Sequence, residues 1–396
     1  EDHGGTLLVS AAAGSGKTRV LVERLMERVL DPDAPANLDD FLIITFTKAA
    51  AAELREKIAA ELQARLALTP ENRHLQRQTT RLYLTQISTV HAFCAGLLRT
   101  YSAQLELPAD FGILEEQEAK LLRTQAMEET LRLLYRQLDT DAALRAAVDC
   151  IGHGRDDRAL RQSVLSCYEA AMCSPRPEAW MEQACRALHT GPGQKPEDTV
   201  WGRFFLFELQ RTAAACEELL LEAAALCRRD PALEEKYRQP LEAGAASAAR
   251  LKEAHTWDEA CLLRAKLPPL AAVRKCEDPE LRARIQEMKT RAGAELRKIQ
   301  SIFYAGSEEV MRQLQMTELP VRGLMELVRR FARVYAQEKR RRRALDFSDL
   351  EHETLRLLLK PDGSRTPAAE EISGQFREIL VDEFQDSNAI QELIYE

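Results

Sequence analysis

The sequence predicts an α/β fold: a parallel sheet built on a phosphate-binding loop, interrupted by a large, mainly helical inserted domain. Three observations predict it. Apolar or β-branched runs at residues 7–10, 41–46 and 86–90 are each followed by a helical pattern, and such alternation builds a parallel sheet covered on both faces. From 118 to 328 the alternation gives way to long helical runs. It returns at 379–381, where a short apolar strand ends in two carboxylates.

In chain order, the run 7–10 reads as a buried strand. It feeds Ala11, Ala12, Ala13, Gly14, Ser15, Gly16, Lys17 and Thr18, which fit the pattern [A/G]-x-x-x-x-G-K-[S/T] with Ala11 as the first small residue. A triphosphate needs several backbone N–H groups pointing inward, and small residues let the backbone approach its oxygens. Lys17 then places a charge on the β and γ phosphates, and Thr18 offers its hydroxyl to Mg²⁺. The following helix turns its positive end to the anion. A plainer reading is an Ala/Gly-rich turn with a chance Lys-Thr. Against it stand the strand before and the helical spacing of Val20, Leu21, Leu25 and Val29 after.

Turn formers fill 31–37, and 41–46 is a second buried strand. A helix over 49–68 carries an apolar stripe through Leu54, Ile58 and Leu62. The third strand, 86–90, enters a helix at 91–99, and 110–114 reads as one more short strand. Further helices are expected near 116–138, 178–189, 204–228, 281–303 and 324–339, divided by Pro/Gly segments such as 191–193 and Pro268-Pro269. The expected boundaries are 1–117 and 329–396 for one sheet domain and 118–328 for the insert. The basic run 339–343 is either a nucleic-acid contact or a solvated set of cations at a helix C-terminus. A helix through Leu355 and Leu359 precedes a polar turn at 361–363.

Strand 379–381 ends in Asp382 and Glu383, the place of a Walker B element. A strand tip can set two carboxylates beside the metal and the γ phosphate. Asp382 then holds Mg²⁺, Glu383 polarises the attacking water, and Gln385 is positioned to sense the γ phosphate. An exposed acidic turn after a strand is the plainer alternative.

Bulk properties set the frame. A chain of 396 residues with net charge −8 and 30% charged residues has room for two or three cored domains and no apolar run long enough to span a bilayer. The acidic balance leaves only a local basic track for nucleic acid. Nine cysteines without a C-x-x-C pair fit reduced, mostly buried thiols in a cytosolic protein. Residues 1–5 carry no signal-peptide pattern, and the first strand follows at once, so the reading is of a piece from inside a longer frame.

Residues 11–18, 44–50 (Ile-Thr-Phe-Thr-Lys-Ala-Ala), 87–93 (Ile-Ser-Thr-Val-His-Ala-Phe) and 381–386 (Val-Asp-Glu-Phe-Gln-Asp) resemble, in order and spacing, successive motifs of superfamily 1 helicases of the UvrD/Rep type. Within that family, 9–24, 345–351 and 386–388 are most similar to the A subunits of AddAB (RexAB) helicase/nucleases. The helical middle matches mainly in position and character. The resemblance implies a RecA-like ATP-binding domain split into 1–117 and 329–396 around the insert, with ATP and Mg²⁺ as cofactors. Ala11 through Thr18 would line the nucleotide, with Arg19 flanking the adenine. It further implies that Thr47, Lys48, Thr89, His91 and Phe93 lie on or near a single-stranded DNA track. On their own signals, Thr47 and Thr89 read equally well as helix caps, and His91 and Phe93 as ordinary core or surface residues.

The activity implied is that of a cytoplasmic ATP-dependent DNA helicase that translocates on single-stranded DNA and processes double-strand ends for recombinational repair. Exonuclease activity belongs to the longer parent, alongside an AddB/RexB-like second subunit. A second RecA-like domain supplies an arginine to the γ phosphate in such enzymes and falls outside this sequence. The chain by itself is therefore expected to bind Mg-nucleotide with little turnover. Other readings are a non-catalytic nucleotide- or DNA-binding module, and a RecB-like or UvrD-like helicase without nuclease.

Overall fold

The computed structural model describes residues 5–10, 16–152, 156–191, 193–273 and 276–396. Its centre is strand β1, Phe41–Thr45, buried at all five positions. An apolar run without alternation requires cover on both faces, and β1 receives it. Leu42 and Ile44 point into one core with Cys94, Leu98 and Leu350. Phe41 and Ile43 point into the other with Leu25, Met26, Leu54 and Ile58. The first cover comes from helices Val90–Thr100 and Phe347–Leu358. The second comes from α1, Lys17–Val29, and α2, Lys48–Leu68.

β1 pairs in parallel with β2, Gln86–Thr89, on one side and β5, Glu378–Val381, on the other, giving the order β2-β1-β5. Thr45 lies opposite Thr89, and Ile44 opposite Val381, so the three carboxyl ends are level. Arg55 of α2 donates to the carbonyls of Leu82, Thr85 and Ile87 and so fixes the entry to β2. The expected short strand at 110–114 is present as β3, Gly112–Ile113. It joins β4, Ala344–Leu345, in a separate two-stranded parallel sheet.

The expected strand at 7–10 is not formed. Leu7, Leu8 and Val9 are 51%, 72% and 50% exposed, and this segment pairs with no described strand. Apolar composition gives strand propensity, but a strand exists only through a ladder that takes up its N–H and C=O groups. Among the described residues the sheet ends at β5, whose Ile379 is 37% exposed.

The chain divides into two compact units: Glu1–Gln137, Arg158–Trp180 and Leu327–Glu396 in the first, and Leu138–Asp157 and Met181–Glu326 in the second. The second unit is helical. Helices Val200–Leu226, Pro231–Lys252 and Pro279–Gln300 bury Leu209, Leu220, Leu241 and Ile285 around Trp257 and Phe303. Thr199, Asp230 and Asp278 cap their N-termini, each accepting a backbone N–H that the helix leaves free. No disulfide links the nine cysteines, of which only Cys94, Cys216 and Cys227 are buried. None of the described helices is long and apolar enough to cross a membrane.

Candidate active site

The carboxyl ends of parallel strands are where an α/β sheet presents its ligand site, and most of the residues singled out from the sequence gather there. Ala11, Ala12, Ala13, Gly14 and Ser15 lie outside the described residues. Gly16 follows them at φ +93°, a left-handed conformation that glycine adopts without strain, and caps α1. Lys17, Thr18 and Arg19 form the first turn of α1. That turn carries no acidic residue, so its free N–H groups and the positive end of the dipole are left for an anion.

Two arginines and one lysine tie α1 to the β5 segment. Arg24 and Arg28 both donate to the Glu378 carboxylate at the start of β5. Lys17 Nζ stands 3.5 Å from Glu383 Oε2 just past its end. Between them opens a cleft of about 930 Å³, lined by Gly16, Lys17, Thr18 and Arg19 of the loop and first turn, by Glu383 and Gln385, and by Lys57 and Glu61 of α2.

The Asp382 amide continues the ladder by donating to the Ile44 carbonyl, which fixes the carboxylate at the strand tip. Glu383 follows at φ +56°. A non-glycine residue held there costs on the order of 1–3 kcal/mol, and such strain collects at functional sites. Gln385 donates to the Glu383 carboxylate. That hydrogen bond, and after it the Lys17 charge, hold Glu383 below the usual carboxylate range. It is therefore ionised at neutral pH, as an acceptor of a water proton must be.

Mg²⁺ fits the donors present. Thr18 and Asp382 offer oxygen only, and among the described residues no group of three His, Cys, Asp or Glu could hold a metal by protein ligands alone. Mg²⁺ is characteristically bound by one or two protein oxygens, with water and substrate phosphates completing the shell.

Beyond β1 and β2, Thr47 and Thr89 each cap a helix, accepting from the amides of Ala50 and Ala92. Lys48 is exposed beside Thr47. Phe93 is 8% exposed and packs edge-on against Phe376 at 6.3 Å, so it lacks the free ring face that base stacking needs. The aromatic side chain presented at this edge is Phe46, 66% exposed at the end of β1. The sequence reading counts it in the buried strand 41–46, whereas the strand ends one residue earlier, at Thr45.

His91 is half-buried, 4.7 Å from the Phe347 ring, with Nε2 3.1 Å from Glu351 Oε1. Glu351 also accepts from Gln391 (2.6 Å) and Asn388 (3.3 Å). Burial pushes the Glu351 carboxyl up, but hydrogen bonds from His91, Gln391 and Asn388 outweigh it and leave the group below its ordinary range. Sequence reading missed this cluster, although Glu351 and Asn388 lie in the segments 345–351 and 386–388 that carried the resemblance.

The profile of the UvrD/REP helicase N-terminal domain matches residues 1–396. Similar curated proteins are ATP-dependent helicase/nuclease subunits A. That of Acetivibrio thermocellus is 33% identical, aligned over 98% of this chain and 32% of its own length. That of Pelotomaculum thermopropionicum is 36% identical over 99% and 32%, and that of Moorella thermoacetica 36% over 98% and 28%. The chain thus spans 28–32% of the length of these relatives.

Proposed function

The chain belongs to the UvrD/REP helicase N-terminal domain family, and on that premise we propose that it is the N-terminal motor portion of an ATP-dependent DNA helicase/nuclease subunit. The observation that carries the reading is the meeting of Lys17 and Glu383 at 3.5 Å in a cleft between the start of α1 and the end of β5. A cation for the β and γ phosphates and a base for water are thereby set side by side. Ala11 through Thr18 cradle the phosphates, with Arg19 beside the base. Thr18 and Asp382 hold Mg²⁺, which when bound neutralises charge on the phosphate oxygens. Glu383 orients the attacking water, and Gln385, bonded to Glu383, reports the γ phosphate.

In this reading 1–117 and 329–396 make a RecA-like domain, and 118–328 is the helical segment inserted in it, of which 118–137 and 158–180 belong to the same compact unit as the sheet. Single-stranded DNA runs over Thr47, Lys48, Thr89 and His91, with Phe93 near the track as a packing residue and the exposed Phe46 as the stacking side chain. The parent protein would translocate on DNA and resect broken duplex ends in the cytoplasm with a second subunit.

Thermal shift with Mg-ATP tests the nucleotide site. Lys17→Ala should remove most of the ligand-induced stabilisation, which is about 2.7 kcal/mol for a ligand at 100 times its Kd, and leave the unliganded midpoint unchanged. Equal stabilisation of variant and parent would sink the assignment.

A further inference from the structure

We propose that Glu351 is a positioning residue that locks His91, on the proposed DNA track, to Asn388 and Gln391 behind the β5 carboxylates, so that DNA seated on the track and ATP hydrolysis act on each other through this contact. The inference rests on the reading of the two sites given above and adds the physical link between them.

Three observations carry it. Glu351 is 6% exposed among Leu350, Leu355 and Leu358 on one helix, where an apolar residue would serve packing as well. A buried carboxylate is costly unless fully partnered, and replacing such a group together with its partners by apolar residues of similar size is often neutral. Its presence therefore calls for a purpose other than stability.

The partners come from two segments far apart in the chain. Oε1 accepts from His91, in the first turn after β2, and from Gln391, while Oε2 accepts from Asn388. Asn388 is itself immobilised, because its Oδ1 caps helix Ala389–Tyr395 by accepting from Ile390 and Gln391. It stands at the end of the short turn that begins with Asp382 and Glu383. His91 keeps 34% of its side chain exposed, so a ligand on the track can reach it. If His91 shifts, either the Asn388 end follows or a buried carboxylate loses a donor. Coupled displacement avoids that loss. Coupling of this kind is reciprocal, so each site must feel the other.

The test uses the full-length protein that contains this chain, with Glu351→Gln and Glu351→Ala. Gln matches the volume but turns an NH₂ toward a donor, so it breaks the link without opening a cavity and decides the matter if the Ala variant fails to fold. Steady-state ATP hydrolysis is titrated with a thymidine oligonucleotide. Oligonucleotide affinity is measured by anisotropy with and without a non-hydrolysable ATP analogue. The expected result is unchanged DNA-free turnover and KM for ATP, a loss of DNA stimulation of about tenfold, and a smaller effect of nucleotide on DNA affinity. In a His91→Ala/Glu351→Gln double variant, the loss of stimulation at saturating oligonucleotide should not exceed that of Glu351→Gln alone. A Glu351→Gln protein that keeps the parental stimulation overturns the inference while leaving the reading of the sites intact. A parent without any DNA stimulation overturns that reading, and the inference with it.

Discussion

Asp230 shows how one side chain ties a helix start to a distant segment. Its Oδ1 accepts from the amides of Ala232 and Leu233, capping helix Pro231–Lys252. Its Oδ2 accepts from the Glu277 amide at 2.8 Å and the Cys276 thiol at 3.1 Å. The Cys276 thiol first, then the amides of Glu277, Leu233 and Ala232, lower its pKa to about 2 against the opposing effect of burial. A carboxylate lowered on folding adds stability above its unfolded value of 3.8, and that stability is lost as pH falls toward 2. Asp230→Asn keeps a capping oxygen but loses the charge. Its melting temperature should therefore lie below the parent's near neutral pH and converge on it as pH approaches 2. A gap that stays constant with pH would refute the role of the charge. At the same scale, the meeting of Gly16 and Lys17 with Glu383 in one cleft was legible, because the motifs that carry them fix residue type by chemistry. Asp230 was not, since its second set of partners lies 46 and 47 residues away.

Charge patterning shows where an element is only half legible. The basic run 339–343 reads as one feature, yet Arg340, Arg341, Arg342 and Arg343 are exposed while Lys339 is 4% exposed. Helical period explains the split: Lys339 follows Phe331 and Tyr335 at spacings of four on the buried face of helix Ser307–Arg341. There its ammonium lies over the Tyr335 ring, 3.0 Å from Asp346 and 2.7 Å from Asp349, which together form the capping box of helix Phe347–Leu358. Burial pushes Asp349 upward; it acts on Asp346 too, but there Lys339 and the hydrogen bonds prevail and hold it down. Removing the cation strands two carboxylates in the interior. Lys339→Met should cost about 3–5 kcal/mol in denaturant unfolding, and Lys339→Met/Asp349→Asn should cost less. A loss confined to a few tenths would show the pair to be solvated. Proline hid other elements. Pro240 and Pro320 each sit inside a helix, where sequence rules place a break, and the expected start at 324 falls 17 residues after the observed one at Ser307.

At the scale of the whole chain, the alternation of strand and helix patterns placed β1, β2 and β5, but only β1 owes its legibility to burial on both faces, which leaves an unbroken apolar run; β2 and β5 are partly exposed and were placed by the helical pattern or carboxylate pair that follows them. The alternation misplaced 7–10 because the same composition without a neighbouring ladder is only an exposed apolar segment. What no pattern could give was the division of the helical stretch, where Arg158–Trp180 belongs with the sheet and Met181–Glu326 does not. Helical period reports a buried face but not what buries it. That division has a measurable consequence. Three cores among the described residues each fall within one unit: that of Leu209, Leu220, Leu241 and Ile285 in the second, and those of Leu42 and Leu98 and of Leu25 and Ile43 in the first. A ligand stabilises what it binds, and the proposed nucleotide site is made wholly of first-unit residues. Hydrogen exchange with saturating Mg-ATP should therefore slow in α1, β1 and the segment 378–386. Amides of helices Val200–Leu226, Pro231–Lys252 and Pro279–Gln300 should exchange as before, because their opening does not require release of the nucleotide. Equal slowing in the second-unit helices would mean that the two cores open together, and it would overturn their treatment as separate cooperative units.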